Sequence, residues 1–256
     1  MKRSKKEVNE RRSQILNLLE ENKDIRYENL AKTLNISSVT LRRDLAALEK
    51  MGKIVRKHGK SYIKDFLAID EQTIDEIELI KNEIGKVAAN LIQDNSAIFI
   101  NSGTTPLYAL KHLNKKNVTV LTNNAKVTNL PINEGITTIL SGGEINYPKE
   151  TLLGPVADNF FESANADAAI LGVYGFSLST GITSKDLREA MINNTIMRNT
   201  NGPIIVVADY RKIGLVSNFK SGELARVNYL ITDQYTDSYV IQEFEKLGIT
   251  VIQVFV

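Results

Sequence analysis

The sequence predicts an α/β protein with two domains, a small helical N-terminal domain that ends in a β-hairpin and a larger, doubly wound α/β domain. Helical apolar spacing followed by two short strands predicts the first domain. Seven short apolar runs that alternate with helical stretches predict the second, with a mainly parallel sheet. A length of 256 residues accommodates both. We place the boundaries at residues 1–64, an acidic linker at 65–79 and the larger domain at 80–256.

Positive charge is concentrated in the first domain. Residues 1–64 contain 17 basic and 8 acidic residues, a net charge of +9, so the rest of the chain carries −7 within a total of +2. A basic domain joined to an acidic body is typical of proteins that bind the phosphates of nucleic acid. A solvated lysine-rich terminus would explain residues 1–6, but not the charges spaced through residues 26–64.

Composition argues against several kinds of site. The absence of cysteine excludes disulfides, thiolate metal sites and cysteine nucleophiles. His58 and His112 are the two histidines, so we expect no metal site and no cofactor. No apolar run reaches the roughly 18 residues of a membrane span, and the charged N-terminus does not resemble a secretory signal. These features favour a cytoplasmic protein.

Three helices and a hairpin are predicted in the first domain. In chain order they are a helix at 7–22, a helix at 27–34, a turn at 35–37, a helix from 37 or 38 to 52, and strands at 53–57 and 60–64. Ser37 or Ser38 can cap the third helix, and Gly52 can end it. The strands meet at His58-Gly59. Helix, turn, helix and wing together predict a domain that reads DNA.

The third helix is suited to the major groove of DNA, because hydroxyls at its start are followed by adjacent arginines. Arginine donates two hydrogen bonds to guanine or holds phosphate, and basic wing residues bind phosphates. The predicted DNA contacts are Ser37, Ser38, Thr40, Arg42, Arg43, Arg56, Lys57, His58 and Lys60. In the alternative interpretation, Arg42 and Arg43 form a solvated face with Asp44 as ion-pair partner, and His58 is an ordinary turn residue. The agreement of turn, cap, helix and wing favours DNA binding.

The string SSVTLRRDLAALEKMGKIVRKHG, residues 37–59, resembles the winged helix-turn-helix signature of the DeoR family of bacterial transcriptional regulators. That signature has a serine, then Thr-hydrophobic-Arg-Arg-Asp-Leu, a leucine–glutamate pair and a basic segment that ends in His-Gly. Family members usually have a second glycine where this chain has Lys60, which changes the tip of the wing.

In the larger domain, polar loops follow four predicted strands. The strands are predicted at 97–100, 118–122, 137–140, 168–173, 204–208, 229–232 and 250–255. The loops are 101–105, which leads into a helix through Pro106, and 123–124, 141–143 and 209–212. Each alone is an ordinary turn. Because ligands of parallel sheets collect at the carboxyl ends of strands, the four loops together predict the rim of a binding pocket, with residues 101–105 as a phosphate or carboxylate cradle.

The resemblance to the DeoR family extends across this domain, whose sensor fold is similar to ribose-5-phosphate isomerase and CoA-transferase domains. It implies a phosphorylated sugar or related metabolite as effector. The phosphate loop and the basic head together suggest a repressor of a sugar-metabolism operon, which releases its operator in double-stranded DNA when the effector binds, although the sequence does not decide between repression and activation. Phosphate would lie on residues 102–105, and sugar hydroxyls would reach Asn123, Asp209 and Lys212. The effector-binding residues so implied are Asn101, Ser102, Gly103, Thr104, Thr105, Asn123, Gly142, Gly143, Glu189, Asp209 and Lys212.

Several positions depart from the family pattern. Asn101 replaces the usual aspartate, Asn146 a common arginine, and Arg211 a common serine, while Asn193 and Asn194 occupy a place that is often basic. Two interpretations follow: an altered effector, or weakened sensing. We favour an altered effector, because the phosphate loop and Lys212 are retained.

Two further functions compete with a regulator that has no catalytic role. An isomerase or transferase with an accessory DNA-binding head would need a general base, for which Glu189 or Asp209 is available but the amide of Asn101 is not. A dinucleotide-binding sensor is the weakest alternative, because Gly172-x-x-Gly175 lacks the G-x-G-x-x-G spacing. We expect a dimer or tetramer, since operators of such domains are usually repeated half-sites.

Overall fold

The computed structural model describes residues 11–12, 14–15, 18–19, 27–50, 54–57, 60–63, 71–147 and 149–256. The chain divides into two compact units, Met1–Asp75 and Glu76–Val256. A 20-residue helix, Glu71–Asn90, begins within the stretch that the sequence predicts as linker. The predicted domain limits at residues 64 and 80 remain a prediction.

In the N-terminal unit, the predicted helices form around a tight turn. Helix Tyr27–Thr33 is followed by Asn35, whose φ of 49° lies in the left-handed region that asparagine tolerates, and then by helix Ser38–Lys50. Ser37 caps the second of these helices, because its Oγ accepts a hydrogen bond from the backbone N–H of Thr40 at 3.2 Å. The described residues at 11–12, 14–15 and 18–19 are helical; the remainder of the predicted helix at 7–22 lies outside the described residues.

An apolar core and a buried carboxylate hold this unit together. The core residues are Ile15, Leu19, Leu30, Ala31, Leu41, Leu45 and Leu48. Asp44 is 2% exposed, and it accepts hydrogen bonds from Arg11 Nε at 2.6 Å and Arg12 Nε at 3.2 Å. A buried charge is stable only when it is paired, so Asp44 ties helix Ser38–Lys50 to the first helical segment.

The predicted wing is an antiparallel hairpin. Strands β1 (Ile54–Lys57) and β2 (Lys60–Ile63) pair from Ile54↔Ile63 to Lys57↔Lys60. Gly52, His58 and Gly59, which the sequence assigns to the helix end and to the turn, lie outside the described residues.

The C-terminal unit is built on a parallel seven-stranded sheet, as the sequence predicts. Its strands stand in the order β14-β13-β11-β8-β3-β4-β5, and every neighbouring pair is parallel. These strands are β3 (Ala97–Ile100), β4 (Val118–Thr122), β5 (Ile136–Leu140), β8 (Ala168–Gly172), β11 (Ile204–Val207), β13 (Tyr229–Asp233) and β14 (Thr250–Val254). All seven predicted strands are present, shifted by at most one residue at an end.

Helices cover both faces of this sheet, which confirms the doubly wound arrangement. They are Glu71–Asn90, Thr104–His112, Pro155–Glu162, Leu187–Arg198 and Ser238–Lys246. Along β3, Ile98 and Ile100 belong to one apolar cluster and Phe99 to the other. Because successive side chains of a strand point to opposite faces, the two clusters are the two cores of the sheet.

Short antiparallel elements supplement the sheet, and the sequence does not predict them. Strands β6 (Glu144–Asn146) and β7 (Thr151–Leu153) form a hairpin; β9 (Gly175–Ser177), β10 (Gly181–Ser184) and β12 (Phe219–Gly222) form a small separate sheet. Three 3-10 helices, Ala125–Asn129, Tyr210–Lys212 and Leu224–Arg226, follow strands. Within the described part of the chain, no helix combines the length and apolar character that crossing a membrane requires.

Candidate functional site

A cavity of about 270 Å³ lies at the carboxyl ends of β3, β4, β8 and β11, where ligands of such sheets bind. Most of its lining comes from the loops that follow these strands. The lining residues are Lys81, Asn101, Ser102, Gly103, Thr104, Thr105, Pro106, Asn123, Asn124, Lys126, Lys149, Gly172, Val173, Tyr174, Ser184, Glu189, Asn193, Val207, Asp209, Arg211 and Lys212.

The N-terminus of helix Thr104–His112 opens into this cavity without a side-chain cap. Gly103 stands at the N-cap position, and no side-chain hydrogen bond closes the end of the helix. Pro106 has no backbone N–H, so Thr104 and Thr105 present the first-turn amides. Free amides and the positive end of the helix dipole together favour an anion.

Two glycines allow the loop after β3 to approach the end of β8. A Cβ atom on Gly172 would lie 2.8 Å from Pro106 Cδ and 3.2 Å from Gly103 Cα. The first distance is shorter than side-chain carbons tolerate, and the second is tighter than most of their contacts. Glycine at position 172 therefore permits the close packing that sets the position of the helix N-terminus.

Asn101, at the end of β3, joins three parts of the cavity wall. Its Nδ2 donates to Gly172 O at 2.8 Å and to Asn193 Oδ1 at 2.9 Å. Its Oδ1 accepts from Gly172 N at 2.9 Å. At 4% exposure the amide is buried and fully used. Its role is thus to fasten β3, β8 and helix Leu187–Arg198 together.

Asn123, at the end of β4, carries an unused acceptor. Its Nδ2 donates to Leu152 O at 3.2 Å, whereas its Oδ1 is buried and has no hydrogen-bond partner. A buried acceptor without a donor costs free energy of about 1–3 kcal/mol. A ligand hydroxyl or amine in the cavity would supply that donor.

The two carboxylates of the cavity are held by basic neighbours. Glu189 accepts from Lys149 Nζ at 2.6 Å and from Ser184 Oγ at 3.1 Å. Asp209, 2% exposed, accepts from Arg211 Nε at 2.7 Å and from Nη2 at 3.0 Å. Burial acts to raise the pKa of the Asp209 carboxyl, but the Arg211 hydrogen bonds and charge outweigh burial, and the pKa is lowered. Both carboxylates are therefore paired with basic side chains.

Two of the five cations in the lining have no carboxylate partner in the described part of the chain. They are Lys126, in the 3-10 helix after β4, and Lys212, after β11. The Nζ of Lys212 lies 5.2 Å from the centre of the Tyr174 ring, a cation–π contact. Burial is the largest influence on Lys212 and lowers its pKa. This surplus of positive charge suits an anionic ligand.

The predicted DNA-contact residues fall on two elements of the N-terminal unit. Arg43 is exposed on helix Ser38–Lys50, opposite the side buried by Leu41, Leu45 and Leu48. Ser37 Oγ lies 2.8 Å from Thr40 Oγ1 at the start of the helix. The side chains of Ser38, Arg42, Arg56, Lys57 and Lys60, and the whole of His58, lie outside the described residues. Asp44, the ion-pair partner of Arg42 and Arg43 in the alternative interpretation, is buried and paired with Arg11 and Arg12.

Comparison with known proteins identifies both units. Residues 11–64 match the DeoR-like helix-turn-helix domain, and residues 78–234 match the DeoR C terminal sensor domain. The chain belongs to the DeoR family. It is therefore a DNA-binding transcriptional regulator, and the interpretation as an isomerase or transferase is not supported.

Curated relatives of the family match along almost the whole chain. The HTH-type transcriptional regulator GolR of Listeria innocua is 29% identical over 94% of this chain and 97% of its own. The HTH-type transcriptional repressor GlcR of Bacillus subtilis is 29% identical over 95% of both chains. The glycerol-3-phosphate regulon repressor of Escherichia coli is 29% identical over 88% of this chain and 90% of its own.

Solved structures are more distant. The ribose 5-phosphate isomerase from Plasmodium falciparum gives a TM-score of 0.37 at 16% identity, with 52% of each chain covered. The full-length sorbitol operon regulator SorC from Klebsiella pneumoniae gives a TM-score of 0.40 at 12% identity, with 91% of this chain and 97% of that chain covered. Neither bears on the function of this chain.

Nine of the eleven effector-binding residues that the family resemblance implies line the cavity. They are Asn101, Ser102, Gly103, Thr104, Thr105, Asn123, Glu189, Asp209 and Lys212. Gly142 and Gly143 do not line it. Their φ angles of 67° and 106° favour glycine, and a Cβ on Gly143 would lie 2.5 Å from Leu153 O, so both shape the chain between β5 and the β6–β7 hairpin. Effector binding by these residues stays a prediction.

Sequence reasoning missed three lysines and an aromatic residue of the cavity. Lys126 stands two residues beyond Asn124, which ends the predicted loop, and the strand-end rule could have found it. Lys81 lies on helix Glu71–Asn90, Lys149 in the unpredicted hairpin loop, and Tyr174 beyond β8. Tyr174 directly follows the predicted strand 168–173, so the same rule could have found it. No local pattern marks Lys81 and Lys149, because distant segments bring them to the cavity.

Proposed function

We propose that this regulator represses a sugar-metabolism operon and leaves its operator when a phosphorylated sugar, or a related metabolite, fills the cavity of the C-terminal unit. One observation carries the proposal: the uncapped N-terminus of helix Thr104–His112 opens into a cavity that also holds two lysines without carboxylate partners. Both features favour a phosphate.

Different residues around the cavity can bind different chemical groups of the effector. The amides of Thr104 and Thr105 and the ammonium of Lys212 would bind the phosphate. Asn123 Oδ1, which has no donor in the protein, would accept a hydrogen bond from a sugar hydroxyl. Asp209 is occupied by Arg211, so the guanidinium, more than the carboxylate, is presented to a ligand. Buried amides and hydroxyl donors of this kind give a site its specificity.

The relatives support this function. GlcR of Bacillus subtilis is named a transcriptional repressor, and the Escherichia coli relative is named for a regulon of glycerol 3-phosphate, a phosphorylated polyol. Glu189 and Asp209, the two possible general bases of the competing enzyme interpretation, both lie in ion pairs. The pKa of Asp209 is lowered by its Arg211 partner despite burial, so this carboxylate is a weak proton acceptor, which agrees with binding without turnover.

We further propose that the working form is a cytoplasmic dimer or tetramer. The helix-turn-helix of the N-terminal unit is of a kind that reads one half-site, and repeated half-sites require repeated copies. Light scattering of the free protein and of its complex with DNA measures the number of copies. A monomer in both samples would contradict this part of the proposal.

The test uses the full-length protein and a genomic DNA fragment that it retains in a selection experiment. Sugar phosphates of three to six carbons are titrated against the labelled complex, and release is followed by fluorescence anisotropy. At least one should release the DNA, and Lys212→Gln should weaken that response at least tenfold. Lys220→Gln, which alters an exposed lysine paired with Glu223, is the control and should respond as the parent does. Release by none of the sugar phosphates contradicts the proposal.

A further inference from the structure

Helix Glu71–Asn90 supplies one cation to the cavity and also runs from one compact unit into the other. It begins at Glu71, within the first unit, and the second unit starts at Glu76. Lys81, on this helix, lines the cavity. The other lining residues in the described part of the chain lie within residues 101–212. A ligand that binds Lys81 therefore acts directly on the helix that leads from the N-terminal unit.

Lys81 is paired with a carboxylate of its own helix. Its Nζ lies 2.5 Å from Glu78 Oε1, one turn earlier. The other oxygen of Glu78 accepts a hydrogen bond from Tyr108 Oη at 2.5 Å. Tyr108 belongs to helix Thr104–His112, whose N-terminus is the proposed phosphate site. Burial and the Glu78 carboxylate raise the pKa of Tyr108 to about 12, so its hydroxyl remains a donor.

The charges on the β11 side of the cavity also act on Glu78. Burial acts to raise the pKa of Glu78, but the hydrogen bonds from Lys81 and Tyr108 outweigh it and the pKa is lowered. The charge of Arg211 lowers it further. Burial lowers the pKa of Lys212, and the charge of Lys81 adds to this effect. Glu78 is thus an anion of the protein itself, close to the cations that would bind the phosphate.

We infer that Glu78 is an internal competitor of the effector for Lys81, and that exchange of one anion for the other transmits occupancy of the cavity to the helix that leads from the N-terminal unit. In the free protein, Lys81 binds Glu78. A phosphate monoester carries about −1.5 to −2 charge near pH 7, against −1 for a carboxylate, so it attracts the ammonium more strongly. Its binding removes from the helix an i,i+3 pair two turns beyond Glu71.

This inference rests on the proposed function, and the two members of the pair give it opposite signs. Glu78→Gln removes the competitor, so affinity for the effector should rise about threefold. Lys81→Gln removes an ammonium from the cavity, so affinity for the effector should fall at least tenfold. Both variants break the same pair, and each should weaken operator binding about threefold without any effector. General damage to the helix would instead lower both affinities in both variants.

Matched controls lie on the same helix. Glu83 and Lys86 form a pair of the same i,i+3 spacing, with Nζ and Oε2 3.5 Å apart, and neither is among the described residues that line the cavity. Glu83→Gln and Lys86→Gln should leave both affinities as in the parent. The double variant Glu78→Gln/Lys81→Gln should bind the operator no more weakly than either single variant, because both substitutions remove one interaction.

The full-length proteins are compared in two measurements. Fluorescence anisotropy gives the affinity for the operator fragment, and calorimetry gives the affinity for the sugar phosphates of three to six carbons. A lower effector affinity in Glu78→Gln, or the same changes in the Glu83 and Lys86 variants, overturns the inference while the proposed function stands. Failure of every sugar phosphate to bind the parent removes the proposed function, and this inference with it.

Discussion

The side-chain amide of Asn101 donates to Asn193 Oδ1 across 2.9 Å, and the same amide donates to Gly172 O. Within the family pattern, aspartate is usual at the first position and a basic residue is common at or beside the second. A neutral amide pair thus stands where the resemblance implies an ion pair. All hydrogen-bonding atoms of the Asn101 side chain are used within the cavity wall. A substitution at this position therefore changes the stability of the wall more directly than it changes contacts with a ligand.

Asn101→Asp should therefore destabilise the C-terminal unit. A carboxylate cannot donate to Gly172 O, and it would place a buried charge beside two carbonyl oxygens. We expect a loss of about 1–3 kcal/mol in the free energy of unfolding, measured by urea denaturation. Adding Asn193→Lys should recover at least half of the loss by restoring a charged partner. An Asn101→Asp protein as stable as the parent would contradict the role given to this amide.

Stability and DNA binding should separate in the N-terminal unit. Asp44→Ala removes a buried carboxylate that pairs with Arg11 and Arg12, and should cost about 3 kcal/mol of stability. Arg43→Ala alters an exposed side chain, and should lower affinity for operator DNA at least tenfold while changing the melting temperature little. Circular dichroism and gel-shift assays measure the two effects. If Arg43→Ala instead lost stability and Asp44→Ala lost only DNA affinity, the roles assigned to the two residues would be wrong.

Gly172→Ala should impair the cavity through a collision. The new Cβ would lie 2.8 Å from Pro106 Cδ, so the loop after β3 must move, at a cost of roughly 2 kcal/mol. Gly248→Ala is the matched control: its φ of 85° strains any other residue by about 1 kcal/mol, but no atom lies within 4 Å. Effector-dependent release of DNA should fall for Gly172→Ala alone. Normal release by that variant would show that the close approach of the loop is dispensable.

Lys212→Met should stabilise the free protein and weaken its effector response. Burial lowers the pKa of Lys212 in the folded state, so folding disfavours its charged form. Between the lowered pKa and that of the unfolded chain, the unfolded state binds more protons, and stability rises with pH. Below the lowered pKa the full cost of the buried charge is present. Denaturation of Lys212→Met across pH 7–11 should show greater stability at pH 7 and a flatter pH dependence; a less stable variant at pH 7 would contradict this.

The sequence predicts the main sheet because its strands are short apolar runs, and the central ones are buried on both faces. The apolar run Ile204–Val207 can be recognised as a central strand from its own residues, without knowing which strands it pairs with. The β6–β7 hairpin differs, since Ile145 is 47% exposed and its strands have only three residues each. Its formation depends on pairing between segments, which local periodicity does not record.

The cavity residues likewise divide into those that the sequence predicts and those that depend on contacts between distant segments. Thr104, Thr105 and Asn123 were predictable because the ends of parallel strands meet at one edge of a sheet. Lys149 was not, since its place in the cavity depends on backbone contacts between residues 123–125 and 150–152. Nor was the pairing of Asp209 with Arg211, which changes the group presented to a ligand from an acceptor to a donor.

The ion pairs of Asp44 bear on how many counterions leave the DNA when the regulator binds. Arg11 and Arg12, although they belong to the basic first quarter of the chain, are largely buried with side-chain exposures of 12% and 19%. Neither is free to replace a cation at a phosphate, so the net charge of the first 64 residues overstates the number of contacts. Each missing contact reduces the steepness of a logarithmic plot of affinity against salt by about 0.9. Pairing with Asp44 fixes the orientation of helix Ser38–Lys50, and it also removes Arg11 and Arg12 as possible electrostatic contacts with the duplex.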